Sequence, residues 1–194
     1  MKKKLLSIIA IVMLMGISIT GTLAWLSDKT DPVANTFTVG NIDIELAETK
    51  TNFKMVPGNT IEKDPKVTVK AGSEACYVFV KIEESANLDN FIIYEVADGW
   101  TELTAGSNIW WREQAAIASD GSDAVFNVIG NKGFDGKGAF VANKVLVKTD
   151  VTKADMDAIV SGNKPTLTVT AYAVQKDNVA TAAAAWEILF PTTP

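Results

Sequence analysis

Apolar and polar residues alternate along most of the chain after residue 40. In residues 41–46, Ile42, Ile44 and Leu46 alternate with two acids, as in an antiparallel strand with one buried face. The first half of residues 75–84 is apolar on both faces, which predicts a central strand covered on both sides. Further strands are predicted around Val67 and Val69 and over residues 91–96, 109–112, 123–129, 139–149 and 166–175.

Two short helices interrupt this strand pattern. Thr152 is a candidate N-cap and Gly162 a stop signal, which together predict a helix over residues 153–160. Thr181 precedes four alanines, and Pro191 ends the helical segment. This pattern predicts a second helix lying over one sheet. Many short strands with few helices indicate an all-β, two-sheet antiparallel sandwich. The pattern alone fits a jelly roll and an immunoglobulin-like topology equally.

The N-terminus has the layout of a secretory signal peptide. Three lysines precede residues 5–26, which carry no charge. Small residues at Thr22 and Ala24 predict cleavage after Ala24, so that residues 1–24 are removed and Trp25 becomes the first residue. The uncharged run of 22 residues is also long enough to span a bilayer, so an uncleaved anchor is the alternative.

Composition excludes several functional classes. Cleavage removes three of the 18 basic residues and none of the 23 acidic ones, which leaves 15 minus 23, a net charge of −8. Such an acidic surface argues against nucleic acid or an anionic membrane as a partner. The chain has no histidine, which removes the commonest general base and zinc ligand. We therefore expect no enzyme, no cofactor and no metal centre.

Cys76 is the only cysteine and has no partner for an internal disulfide. It alternates with Val78 and Val80, which predicts a buried, unreactive thiol.

Two glycine- or aspartate-rich stretches have simple interpretations. The stretch GFDGKGAF, residues 133–140, fits no phosphate-binding motif and predicts a hairpin loop. Asp120 and Asp123 in SDGSD predict a turn, with a calcium site as the alternative.

Trp110 and Trp111 are candidate binding aromatics. As neighbours on one strand they must point to opposite sheet faces. One should pack in the core, and the other should lie on the outer face, either covered by a loop or helix or exposed as a platform for a glycan or a protein.

Three blocks of the sequence resemble a known family. They are TLAWLSD with NTFTVGNIDI in residues 22–44, residues 63–84, and the strand AYAVQ followed by an alanine-rich helix that contains Trp186. In these blocks the chain resembles the TasA and camelysin family of Gram-positive surface and biofilm-matrix proteins, with a leader of the SipW signal-peptidase type. The resemblance implies a jelly-roll domain over residues 41–194. It also implies that residues 25–40 are a segment donated as a strand to the neighbouring subunit.

The phase of the apolar residues changes within this region. Val33, Phe37 and Val39 have odd numbers, whereas the apolar residues after Asn41 have even numbers. Gly40 and Asn41 are therefore either a hinge between a donated assembly strand and the domain, or a β-bulge inside one continuous strand.

The resemblance leads to an expected function. We expect a secreted structural subunit of extracellular biofilm-matrix or surface fibres, with other copies of itself, other matrix proteins and, during export, a signal peptidase as partners, and with no membrane association after cleavage. The alternative is a monomeric adhesin or glycan-binding module at the cell surface. A metalloprotease activity ascribed to the camelysin branch is not expected, because the chain has no HExxH motif.

Overall fold

The computed structural model describes residues 40–191. The signal peptide, its cleavage residues Thr22, Ala24 and Trp25, and the assembly-strand residues Val33, Phe37 and Val39 lie outside the described residues. What is described contains thirteen strands in four antiparallel sheets and two short α-helices, which confirms the predicted all-β class with two helices.

The elements follow one another along the chain with short connections. The strands are β1 (Ile44–Ala47), β2 (Thr60–Glu62), β3 (Lys66–Val69), β4 (Cys76–Glu84), β5 (Ile92–Ile93), β6 (Glu95–Val96), β7 (Thr101–Glu102), β8 (Ile109–Gln114), β9 (Ala124–Asn127), β10 (Ile129–Asn131), β11 (Val141–Ala142), β12 (Lys144–Val147) and β13 (Leu167–Gln175). The helices are α1 (Lys153–Asp157) and α2 (Ala182–Leu189), and a single 3₁₀ turn covers Leu88–Asn90. The sheet orders are β1-β3-β9, β11-β10-β6, β2-β12-β5 and β13-β4-β8-β7.

Strand β4 is the centre of the largest sheet, as its two apolar faces predict. It pairs with β13 along all nine of its residues and with β8 along its first six. Cys76, Val78 and Val80 face the main hydrophobic core, and Tyr77 and Phe79 face a second, smaller core. All five side chains are at most 2% exposed, which confirms the predicted burial of Cys76.

The main core collects apolar side chains from all four sheets. Buried residues include Val67 of β3, Ile129 of β10 and Val145 of β12, together with the residues of β4 named above. Trp100 closes one side of this core, where its indole N–H donates to the Asn127 carbonyl at 2.8 Å. A single apolar core thus joins strands that are far apart in sequence.

Helix α2 covers the opposite face of the largest sheet, as the alanine-rich segment predicts. Thr181 caps it by accepting a hydrogen bond from Ala184 N at 3.1 Å. The Trp186 ring lies 5.3 Å from Phe79 and 5.5 Å from Tyr172, measured between ring centroids. This aromatic group holds the helix on the sheet.

Three of the predicted strands are wrong in extent, because each is divided between two sheets. The predicted strand over residues 91–96 becomes β5 and β6, that over 123–129 becomes β9 and β10, and that over 139–149 becomes β11 and β12. At the last of these breaks Asn143 adopts a left-handed conformation with φ 63°, which ends the extended run. Each of these three segments thus contributes strands to two different sheets.

The first helix is shorter than predicted. Thr152 caps it in a capping box with Asp155, as expected for a Thr N-cap. The helix ends at Asp157 rather than near Val160, because the Asn163 side chain bonds to Val160 N at 2.6 Å and to the Ala158 carbonyl at 3.1 Å. These bonds satisfy the backbone outside the helix, so Gly162 is not its stop signal.

The glycine-rich stretch over residues 133–140 is a loop between β10 and β11, as predicted. Gly138 N donates to the Lys132 carbonyl at 2.7 Å and closes it. Gly130, just before the loop, is packed so closely that an added Cβ would lie 2.4 Å from the Val141 carbonyl oxygen. Only glycine permits this approach of the two strands.

We expect Trp186→Ala to lower the free energy of unfolding by about 2 to 3 kcal/mol, because it removes the contacts that join α2 to the sheet. Urea unfolding followed by circular dichroism measures this change. The control is Ile188→Ala in the same helix, whose side chain is 59% exposed and whose loss should change the value by less than about 0.5 kcal/mol. Equal losses in the two variants would contradict the packing described for α2.

Candidate functional site

Strand β13 is the longest edge strand among the described residues. β13 has nine residues and pairs with β4 on one side only. The other edge strands of the four sheets have two to four residues each. A long edge strand is a template on which another strand can pair.

The hydrogen-bond register shows which peptide groups face outward from this edge. Lys176 N donates to the Ala75 carbonyl at 2.8 Å, and Ser85 N donates to the Thr166 carbonyl at 3.0 Å. Along two antiparallel strands, hydrogen-bonded residue pairs alternate with pairs that form no hydrogen bond. The two bonds above involve Lys176 and Thr166, so the even-numbered residues of β13 are the ones that bond to β4. The odd-numbered residues therefore turn their N–H and C=O groups away from β4, and within residues 40–191 no backbone group pairs with them; they are Leu167, Val169, Ala171, Ala173 and Gln175.

The sequence of β13 has neither of the two residue types that most often protect an edge strand, a charged residue and proline. Its sequence, LTVTAYAVQ, contains no charged residue and no proline. Exposed edge strands normally carry lysine, proline or a bulge that blocks a further strand. The sequence analysis predicted this strand but not its position at an edge. The signal that could have shown it is the run of nine residues without a charge.

A line of partly covered apolar side chains borders this edge. Leu167, Val169 and Ala171 are half-buried at the margin of the main core. Strand β1 lies beside β13, and its Ile44 is half-buried at the same margin. These half-buried apolar side chains thus form a border along the side of β13 that does not pair with β4.

Leu46 departs from the sequence prediction. It shares a face with Ile44 and pairs with Val67, which is fully buried, yet it is itself 37% exposed. The reason is that β1 is an edge strand, and no described residue covers its end.

Gly40 brings the chain to one end of the β13 edge. A Cβ added at Gly40 would lie 3.2 Å from Glu74 Cγ and 3.6 Å from Gln175 Oε1, so the residue sits beside the last residue of β13. The Asn41 carbonyl accepts a hydrogen bond from Glu74 N at 2.9 Å. Strand β1 begins only at Ile44. The hinge and the bulge both stay predictions, because residues before Gly40 lie outside the described part.

Trp110 and Trp111 point to opposite faces of the sheet, as predicted. Trp111 packs in the smaller core, with its ring 5.9 Å from that of Tyr77. Trp110 packs against the main core and also lines a surface cleft. Both are half-buried.

Of the two aspartates in the SDGSD turn, Asp123 is engaged in structural contacts. Asp123 accepts a hydrogen bond from Ala71 N at 2.9 Å and pairs with Lys70 at 3.4 Å. The bond from Ala71 and the lysine hold the pKa of Asp123 below its usual value. Within residues 40–191 no group of three or more acidic or cysteine side chains is placed to hold a metal ion. In the same range no helix has the length and apolar character needed to cross a bilayer.

Comparison of the chain with models of protein families, with curated proteins and with solved structures finds no match in any of the three. The resemblance to the TasA and camelysin family therefore stays a prediction carried by the sequence blocks.

We expect the stability of the protein to fall between pH 9 and pH 11 because of Cys76. Burial raises the pKa of its thiol from an ordinary value of 9.0 to about 11, so the unfolded chain loses this proton first as the pH rises. The protonated thiol makes its full contribution to the free energy of unfolding below pH 9. About 2 kcal/mol of this contribution should be lost by pH 11.

Urea unfolding of the native protein and of Cys76→Ala across this pH range measures the effect. The variant should show a smaller decline, since other groups titrate equally in both proteins. Parallel curves would contradict a thiol that is protonated in the core.

Proposed function

We propose that the chain is a secreted structural subunit of an extracellular fibre and that it polymerises by strand donation. In this proposal residues 25–40 of one subunit pair with the outer edge of β13 in the next. The observation that carries the proposal is the long edge of β13, which has neither charge nor proline to prevent pairing.

The donated segment matches this edge in length. Nine residues of β13 extend over roughly 27 Å at the usual rise of a strand. Pro32 lacks an N–H donor and limits pairing on its N-terminal side, so residues 33–39 form the pairing part. Seven residues fit within an edge of nine, and main-chain hydrogen bonds to the odd-numbered residues of β13 provide the affinity.

The donated segment also matches the edge in its apolar face. Val33, Phe37 and Val39 fall on one face of an extended strand. Placed along β13, this face would cover the half-buried border that includes Val169 and Ala171. Burial of that border removes apolar surface from water and stabilises the pairing.

The position of Gly40 supports donation that leads to a filament. The donated segment ends at Gly40, which lies beside the last residue of β13 in its own subunit, so each subunit carries its donor segment next to its acceptor edge. When the neighbour accepts it, donor and acceptor are different surfaces, and each subunit still has one of each to offer. Such a contact propagates without closing.

We infer that the domain is a jelly-roll sandwich. The sheets β1-β3-β9 and β13-β4-β8-β7 both send side chains into the main core, as the two layers of a sandwich do. The chain changes sheets at the breaks between β9 and β10 and between β5 and β6, which suits a fold built of crossing connections. This topology is the one that the family resemblance implies.

We expect Ala171→Pro to abolish fibres while the subunit stays folded. The substitution removes an outward N–H of β13 and places a proline ring on the edge, but it breaks no bond to β4. Electron microscopy and sedimentation of the secreted protein measure assembly, and circular dichroism measures folding.

The matched control is Val125→Pro on β9, the edge strand of the β1-β3-β9 sheet. Val125 is 56% exposed, and its N–H also faces away from the neighbouring strand, since Val128 N bonds to Pro65 at 3.1 Å. Fibres should form normally in this variant. Loss of fibres in Val125→Pro and normal fibres in Ala171→Pro would assign the docking edge to β9 instead.

We expect a mature protein that lacks residues 25–38 to remain monomeric, because it has an acceptor edge but no strand to donate. A synthetic peptide of residues 25–39 should bind this monomer and should shorten fibres of the intact protein by capping the open edge. Fibres of normal length from the truncated protein would refute strand donation.

A further inference from the structure

A surface cleft of about 660 Å³ opens where the end of β4 meets β5, β6 and the start of β8. Trp110 lines it with an aromatic side chain, and Asp89, Tyr94, Glu95 and Asn108 supply polar groups. None of these residues belongs to β13 or β1. Concave sites with one aromatic face and a few convergent polar groups are typical of small-molecule binding.

The aromatic groups of the cleft are held in place. Trp110 is half-buried and packs against the main core. The Tyr94 hydroxyl donates to Glu84 Oε1. Burial, with this hydrogen bond to Glu84, raises the pKa of Tyr94, so the hydroxyl remains a donor and fixes that carboxylate. Packing against the core thus fixes Trp110, and the hydrogen bond to Glu84 fixes Tyr94, at the wall of the cleft.

A second cavity of about 480 Å³ adjoins the first. Lys148 lines both, and Asn90, Asp150 and Asp155 line the second. Each cavity has an asparagine whose side-chain amide bonds to no described residue: Asn108 in the first and Asn90 in the second. Because Lys148 lines both cavities, an extended ligand that passes this residue contacts both of them, which a single small molecule does not.

Negative charge dominates the two cavities. Five carboxylates line them, against the single ammonium group of Lys148; they are Glu84, Asp89, Glu95, Asp150 and Asp155. Glu95 is paired with Lys132 at 2.8 Å, and Asp155 caps α1. Asp89 and Asp150 form no ion pair or hydrogen bond with any described residue. The cavities therefore repel polyanions and offer two free carboxylates to a cation.

We propose that this pair of cavities binds a polymer of amino sugars with free ammonium groups, such as a partly deacetylated hexosamine chain. The apolar face of one sugar ring stacks on Trp110, as sugars do on aromatic platforms. The amides of Asn90 and Asn108 both donate and accept, which suits sugar hydroxyl groups. Asp89 and Asp150 bind the ammonium groups. This site would tie the protein to a cationic polysaccharide, and it does not depend on strand donation.

Isothermal titration of the secreted protein with a glucosamine hexamer tests the proposal. We expect binding that weakens with added salt, because it joins opposite charges at the surface. An N-acetylglucosamine hexamer, which lacks the charge, and hexalysine, which lacks the sugar face, should each bind at least about tenfold more weakly.

Three variants locate the site. Asp89→Asn and Asp150→Asn should each weaken glucosamine binding by roughly threefold, as for the loss of one exposed ion pair. Trp110→Phe keeps an aromatic ring in the core. It should weaken glucosamine binding by roughly threefold to tenfold, because phenylalanine offers a smaller stacking face. Asp120→Asn, an exposed carboxylate outside both cavities, is the matched control and should have no effect.

Other results would overturn the proposal. Hexalysine that binds as tightly as glucosamine would show a site for basic peptides, and equal binding of the N-acetylated hexamer would remove the role of the carboxylates. Equal weakening by Asp120→Asn and Asp89→Asn would show a general effect of net charge. Fibre formation is measured separately, so failure here leaves strand donation untouched.

Discussion

The structure depends on the pairing of β4 with β13. This ladder of nine residue pairs is the longest in the described part of the chain, and it joins residues about ninety positions apart. Because β4 is buried on both faces, it contributes to both hydrophobic cores at once. Helix α2 follows β13 directly and packs back on the same sheet through Trp186. Loss of this ladder would therefore disrupt the packing of both hydrophobic cores.

The same ladder creates the candidate assembly surface. When β4 occupies one side of β13, the other side is left with a complete row of outward peptide groups. A domain that only had to be soluble would protect this edge with charges or proline, as shorter edges are protected by their length. Its apolar, uncharged sequence is understandable if a further strand pairs there. The proposed strand donation thus rests on the position of β13 and not on any reactive group.

Charge and shape divide the surface into two regions with different uses. The edge of β13 has no charge and has an apolar border, which suits a strand. The cleft beside Trp110 has an excess of carboxylates and free amides, which suits a cationic sugar. A fibre whose subunits each present such a cleft would repeat one weak sugar contact many times, and repeated contacts raise the overall affinity.

The sequence by itself determined the class of fold and the position of most elements. Apolar patterns along the sequence located β4, β8 and β13, and Thr152 and Thr181 located the starts of both helices, because these signals are local. It also determined that Trp110 and Trp111 face apart, since the pleat alone requires it. Only the tertiary structure decided that residues 91–96, 123–129 and 139–149 divide between sheets, and that β13 rather than another strand lies at an open edge. Those outcomes depend on which distant strands supply the hydrogen bonds, and no local pattern records that choice.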